Sequence, residues 1–248
     1  MNPTTLRDQS TTLDPRMDLI FDKDPSNRNH SVMTAVQAAY NLTLKPISKI
    51  WYCPTCLDQK NEGSCAGFMT THLLLGEPGI SDPKIFNAEF AREKLYFPAQ
   101  MDDEFPGGEY PGADPVAGGT SMKAMMKQAK KMGLITEYKW SFSFLEFLIG
   151  VGYYGPAGIG TVWTEDMMRP DSKGVVSATG KAVGGHAYQV YGLNMRTEMG
   201  LCLNSWGPDN FGIAGKFQIP FKDLEKLLIK WRGEAVFVKK VKPLPVTF

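Results

Sequence analysis

Cys65, His186 and Asn204 stand in that order, at separations of 121 and 18 residues, in the runs Gly63-Ser64-Cys65-Ala66, Gly185-His186-Ala187 and Asn204-Ser205-Trp206-Gly207. A thiol, an imidazole and a side-chain amide in that relation can carry out nucleophilic attack on an acyl group. A free thiol has a pKa of about 8.5 and is mostly protonated near neutrality. It becomes a good nucleophile when an imidazolium or the positive end of a helix stabilises the thiolate. His186 is the candidate base, taking the thiol proton and later giving one to a leaving amine. Asn204 is the candidate that orients the imidazole. Gln59, six residues before Cys65, is the candidate side-chain donor to a developing oxyanion, with the Cys65 backbone N–H as the second donor. Each has a plainer reading, as core cysteine, turn cap or surface amide. Of the remaining histidines, His72 lies two helical turns beyond Cys65 and His30 lies in the leader.

These residues need elements to hold them. Ser64 is a good N-cap, which puts Cys65 in the first turn of a helix. Phe68, Thr71, His72 and Leu75 recur at helical spacing, and Gly76 is a natural stop. Residues 65 to about 145 read as mainly helical. Asp82-Pro83 is expected to open a helix carrying Ile85, Phe86, Phe90 and Leu95, followed by a Gly/Pro loop from Phe97 to Gly119. Asp102-Asp103-Glu104 in that loop reads as a solvated turn, with cation binding as the alternative. Met122, Met125, Met126, Ala129 and Met132 form a core face opposite a solvated face of Lys123, Lys127, Lys130 and Lys131, and Gly133 ends that helix. Phe144 to Val151 gives one more helix. From there the pattern becomes short β-branched runs: 157–162, 187–192, 200–204, 215–219 and 233–239, with a helix at 220–231. They read as an antiparallel sheet or open barrel. The nucleophile then sits on a helix of one lobe and His186 and Asn204 on strands of the other, with a cleft between.

The chain resembles the papain-type cysteine peptidases over residues 45 to 240, and its Cys…His…Asn order and spacing are similar to theirs. The compact bacterial and bacteriophage members are the more similar branch, through Ser81-Asp-Pro-Lys-Ile-Phe86, Gly119-Thr-Ser-Met-Lys-Ala124 and Lys131-Met-Gly-Leu-Ile135. The resemblance implies an α+β, papain-like two-lobe fold, with a helical lobe, an antiparallel β-barrel-like lobe and the site between them. It implies Gln59 as oxyanion donor, Trp206 as a shield over the His–Asn hydrogen bond, and Gly118, Gly119 and Gly185 as cleft-lining substrate contacts. Two positions depart from the family pattern. Glu62 stands where a cysteine is usual, removing a disulfide, and Ala66 stands where a tryptophan is usual, so no substrate preference carries over.

The implied activity is an endopeptidase forming an acyl-enzyme on Cys65, with protein or peptide substrates and no metal or organic cofactor. The alternatives are an assembly-associated, virion-like structural component with a silenced or single-use site, and a papain-like amidase or transferase acting on cell-wall peptides. The expected organisation is an arm or short leader over 1–46, a mainly helical part over 47–145 and a mainly β part over 146–248. Within 1–46 only Ser31 to Tyr40 looks helical, and the leader is too short for the long prosegment of secreted relatives. It is expected either to pack on the lobes as an arm or to lie across the cleft.

Composition is that of an ordinary globular chain: 248 residues, 43% hydrophobic, 21% charged, net charge +1. That balance gives no reason to expect nucleic acid or a membrane as partner. A polar start without an export signal suggests a cytoplasmic protein with reduced cysteines, with a virion as the alternative location. The Asn41-Leu42-Thr43 glycosylation signal then reads as accidental. Cys53-Pro54-Thr55-Cys56 reads as two free cysteines, with a local disulfide or half a metal site as alternatives.

Overall fold

The computed structural model describes residues 14–22, 24–40, 44–52 and 54–241. Cys53 and the Asn41–Thr43 signal lie outside them. In chain order the elements are α1 (Val32–Tyr40), β1 (Lys49–Ile50), α2 (Cys65–Leu75), a π-helical stretch (Phe90–Tyr96) continuing as α3 (Phe97–Asp102), α4 (Met122–Lys131), β2 (Ile135–Trp140), α5 (Phe144–Tyr153), β3 (Ala157–Thr164), β4 (Ala182–Asn194), β5 (Met199–Leu203), β6 (Lys216–Pro220), α6 (Phe221–Glu225) and β7 (Glu234–Lys240).

One antiparallel sheet runs β2-β7-β3-β4-β5-β6, with β1 added on β4. It is an open sheet with β2 and β6 at its ends, not a closed barrel. Strand β4 is the long central one: it pairs with β3 through Ala182–Val190 and, beyond that, with β1 at Gly192 and Leu193. A register shift opposite β5, between Val190 and Gly192, bends it there. The sheet and α5 share one core cluster, which includes Phe147, Trp163, Tyr188, Trp206 and Phe217. The helices form a second, around Cys65, Met69, Leu73, Phe90, Met122 and Met126, with Trp140 and Val236 from the sheet.

Several elements fall where their patterns put them. The methionine face of α4 is core, with Met122, Met125, Met126 and Ala129 fully buried. Gly133 ends that region at φ +69°, a conformation a side chain disfavours. Helix α2 differs from its expected one-sided stripe, because all eleven residues from Cys65 to Leu75 are buried. It is a central helix with no solvent face.

Five expectations change. The segment after Asp82 forms turns, and the helix starts only at Ala88, where Asn87 Oδ1 accepts the Phe90 N–H at 3.0 Å. That helix runs on through Asp102 with Pro98 inside it; Pro98 has no N–H to give, and Lys94 O one turn earlier accepts from Gln128 Nε2 at 3.1 Å. Residues 135–140, left among the helices by the sequence reading, pair with β7; Tyr138 and Trp140 alternating with Glu137 and Lys139 were the period-2 signal. The lysine face of α4 is not wholly solvated, since Lys123 reaches Asp24 at 3.0 Å and Asp22 at 3.5 Å. Two of the acidic triplet have protein partners, Asp102 pairing with Lys131 at 2.6 Å and Asp103 accepting from Thr120 Oγ1 at 2.7 Å, while Glu104 is exposed as expected of a solvated turn.

Candidate active site

Helix α2 presents Cys65 at its first position. Ser64 occupies the N-cap, but its hydroxyl makes no capping bond and is buried without a hydrogen-bond partner. The cap therefore works through the Ser64 carbonyl, which accepts from Gly67 N at 2.9 Å. The Cys65 sulfur lies against the backbone N–H of Ala187 on β4 and the N–H groups of Ala66 and Cys65 itself. Those three donors favour a thiolate. Full burial opposes them and pushes the thiol up to about 12.

His186 and Asn204 approach from the sheet. His186 sits on β4 opposite Thr161 of β3, and Asn204 directly follows β5. The imidazole Nε2 and Asn204 Oδ1 are 2.7 Å apart, and Oδ1 also accepts the Ser205 N–H at 2.8 Å. The Ser205 N–H fixes this amide atom as the oxygen, and an amide oxygen only accepts, so Nε2 carries the proton. Nδ1 is left with its lone pair, which is what a base toward a thiol requires. Trp206 lies 4.9 Å and Trp163 5.0 Å from the imidazole, centroid to centroid. This aromatic wall dries the ring. Burial brings His186 down to about 4, against the raising effect of its Asn204 bond.

Gln59 is tied to the Asn204 turn. Its N–H donates to Ser205 O at 2.8 Å, and its Oε1 accepts from Ser205 Oγ at 2.6 Å. With the oxygen held by Ser205, Nε2 is turned the other way and donates to Glu62 O at 2.7 Å and, at 3.4 Å, to Arg16 O. Two groups outside the expected set fix this loop. His72 Nε2 accepts from Leu57 N at 3.0 Å, and the Cys56 thiol donates to Asn204 O at 2.9 Å. Cys56 is thus a free, buried thiol with a positioning contact.

The cleft is filled by the chain's own Arg16–Ile20. Leu19 N donates to Gly185 O at 3.0 Å, Gly185 N to Met17 O at 3.1 Å, and Ile20 N to Thr120 O at 3.2 Å. The strap passes so close to Gly119, at φ +83°, that a Cβ there would run into Asp18 O. The Arg16 guanidinium stacks 4.2 Å from the Trp206 ring centroid. Met17 joins the sheet core, and Leu19 joins the helical core that includes Cys65. As a result Cys65, His186, Gln59 and Asn204 are all fully buried. Of the two expectations for the leader, the path across the cleft describes residues 16–20, while α1 packs Val32 and Val36 into the sheet core as an arm would.

All eight residues singled out from the sequence line this one place. The positioning contacts of Ser205, Cys56 and His72 were not anticipated, and the strap was foreseen only as one of two paths for the leader, without its residues. The strap had one legible signal, the apolar run Met17, Leu19, Ile20, Phe21 in a polar leader. Ser205 had none, because its role depends on which way the Gln59 amide faces.

Buried neutral imidazoles give the fold an acid limit. Burial holds His186 at about 4 and His72 at about 3, against an ordinary 6.5. Below about pH 6.5 the unfolded chain binds protons at these two sites and the folded chain does not, so stability falls as pH falls. The slope is on the order of 1 kcal/mol per pH unit for each histidine down to those folded values. The urea midpoint is expected to be clearly lower near pH 4.5 than near pH 7, and less so in His72→Gln. Equal midpoints at the two pH values would mean that the imidazoles are not held neutral.

No protein-family model matches the chain, and no curated protein sequence matches it either. Solved structures do. Xylellain, a cysteine protease from Xylella fastidiosa, superimposes with a TM-score of 0.60 at 12% identity, covering 92% of this chain and 98% of its own. A digestive procathepsin L2 proteinase from Tenebrio molitor larval midgut gives 0.54 at 15% identity, covering 89% and 77%. The ragweed pollen cysteine protease Amb a 11, in its proform, gives 0.52 at 16% identity, covering 96% and 86%. The fold is papain-like: helices and an antiparallel open sheet as two lobes of one α+β unit.

Proposed function

We propose that this chain is a cysteine endopeptidase of the papain type, from the compact bacterial and bacteriophage-like branch, held in a covered form by its own residues 16–20. The observation that carries the reading is the proton placement on His186. Nε2–H is committed to Asn204 Oδ1, so Nδ1 is the basic nitrogen. In the uncovered site His186 takes the Cys65 proton and the sulfur attacks the substrate carbonyl carbon. The oxyanion accepts from Gln59 Nε2 and from the Cys65 N–H. The C–N bond breaks as His186 returns the proton to the leaving amine, leaving a thioester. Water, deprotonated by His186, then releases the acid and restores the thiol. A carbonyl oxygen, that of Arg16, already meets the Gln59 donor. Strap backbone already pairs with Gly185, as an extended substrate would. Protein or peptide substrates follow from that edge pairing.

Covering also explains the charge state. With water excluded, both members of the pair are held neutral, Cys65 by its raised pKa and His186 by its lowered one. Strap departure returns water and lets the thiolate–imidazolium pair form. The relative Amb a 11 is itself a proform, which fits a covered state.

Casein and fluorogenic peptides, together with a thiol-directed epoxide mapped by mass spectrometry, test the reading. Cleavage and one epoxide equivalent on Cys65 are expected; neither occurring in the full chain or after limited proteolysis of its leader would sink it. The complete burial of the four groups favours one second reading, a silenced site in an assembly component, and that same null result would point to it.

Ser205 offers a finer check. Ser205→Ala frees the Gln59 amide to rotate, so kcat/KM is expected to fall about tenfold, mostly in kcat, in line with one lost hydrogen bond to an oriented group. An unchanged kcat/KM would remove Gln59 from the oxyanion role.

A further inference from the structure

Asp18 is the strap residue that faces the helical wall of the cleft. A Cβ at Gly63 would stand 3.0 Å from Asp18 Cβ and 3.1 Å from its Oδ2, and a Cβ at Gly118 would run into that same Oδ2. Two missing side chains therefore shape a slot that takes one side chain from whatever lies in the cleft.

Glu109 backs this slot. Its Oε2 accepts from Gly63 N at 3.0 Å and from the Tyr96 hydroxyl at 2.7 Å. The Tyr96 oxygen in turn accepts from Gly119 N at 2.8 Å and from Gln100 Nε2 at 2.9 Å. Glu109 and Tyr96 thus hold the backbone on both sides of the slot. Both donors to Glu109 are neutral, so its charge is not offset by them. Burial raises the Glu109 carboxyl, and the nearby Glu62 and Asp18 charges add to the rise. Glu62 is differently placed, with Arg92 Nε at 3.0 Å from both of its oxygens.

We infer that Glu109 makes the Gly63–Gly118 slot a subsite for a cationic side chain, so that a preferred substrate carries Arg or Lys where the strap carries Asp18. This deepens the peptidase reading and rests on it. A half-buried carboxylate favours an opposite charge and disfavours a like one. The Asp18 carboxylate and Glu109 are of like sign, and each opposes the other's charge.

The test uses reporter peptides with Arg, Gln or Glu at each of the three positions before the cleaved bond, on the full chain, Glu109→Gln and Glu109→Asp. At one position the Arg peptide is expected to exceed the Gln peptide by about 10- to 100-fold in kcat/KM, with the Glu peptide slowest. Glu109→Gln is expected to collapse the Arg-to-Gln ratio to about threefold or less, and Glu109→Asp to retain most of it. A purely supporting role would lower all peptides alike and leave the ratio untouched. A flat preference, or a ratio that survives Glu109→Gln, overturns the inference. Anisotropy of the same peptides on Cys65→Ala separates the two readings. Charge-selective binding without cleavage by the parent chain would keep the slot and reject the peptidase. Cleavage without charge selection would keep the peptidase and reject the slot.

Discussion

Cys65→Ala is expected to hydrolyse peptides at least about 10⁴-fold more slowly than the parent chain, because removing a covalent nucleophile leaves only oxyanion stabilisation and binding. Among the described residues no other cysteine is placed to replace it. Cys56 donates to Asn204 O and Cys202 lies inside β5, each buried and away from the Ala187 N–H that meets Cys65. Cys202→Ala serves as the control, expected to cost stability from core packing and to leave the epoxide adduct on Cys65. The fold should survive Cys65→Ala, since alanine is a good helix former in a first turn whose Ser64 carbonyl still accepts from Gly67 N. Retention of more than about a hundredth of the activity in Cys65→Ala would place the chemistry elsewhere.

The second large effect concerns the strap. Leu19 is buried to 6% exposure in the helical core, the cluster that also holds Cys65. Truncation to alanine removes about 2 to 3 kcal/mol of burial from the covered form, while an open strap loses nothing. If strap opening limits access, Leu19→Ala is expected to raise the rate of Cys65 alkylation by iodoacetamide about 30- to 100-fold at neutral pH. A comparison variant must separate this from general loosening. Leu227→Ala empties a fully buried position in the sheet core; it is expected to lower the melting temperature and leave the alkylation rate near that of the parent. Equal acceleration in both variants would mean that Cys65 is reached by global unfolding, and that the strap is a fixed part of the fold.

The ease with which this site is read from sequence varies residue by residue. The Cys65 helix was legible because Gly63 and Ser64 before it and Gly76 after it are local signals. The later strands were legible because short runs rich in apolar and β-branched residues are separated there by Gly, Pro and charged turns. The start after Asp82 was misread because Pro at a first helical position is as compatible with a turn as with a helix. The β2 strand was missed because it stands among helices in the chain, and its partner β7 lies about a hundred residues away. No periodicity signals a partner that distant.

By itself, the sequence determined which groups are available and in what order: a thiol at a helix start, an imidazole and an amide on the strand-rich side, and a glutamine just upstream. Those facts depend on residue type and on local periods of 3.6 and 2, which short stretches carry in full. Only the tertiary structure decided what each group meets. Sheet register brings the Ala187 N–H to the Cys65 sulfur. The Ser205 N–H fixes which way the Asn204 amide faces, and with it which imidazole nitrogen holds the proton. Ser205 decides which way the Gln59 amide points. The strap's place in the cleft is fixed by backbone pairing with Gly185 and Thr120 and by side chains left out at Gly63, Gly118 and Gly119. Backbone hydrogen bonds are common to every residue type, and missing side chains leave only space, so neither writes a pattern that the sequence can display.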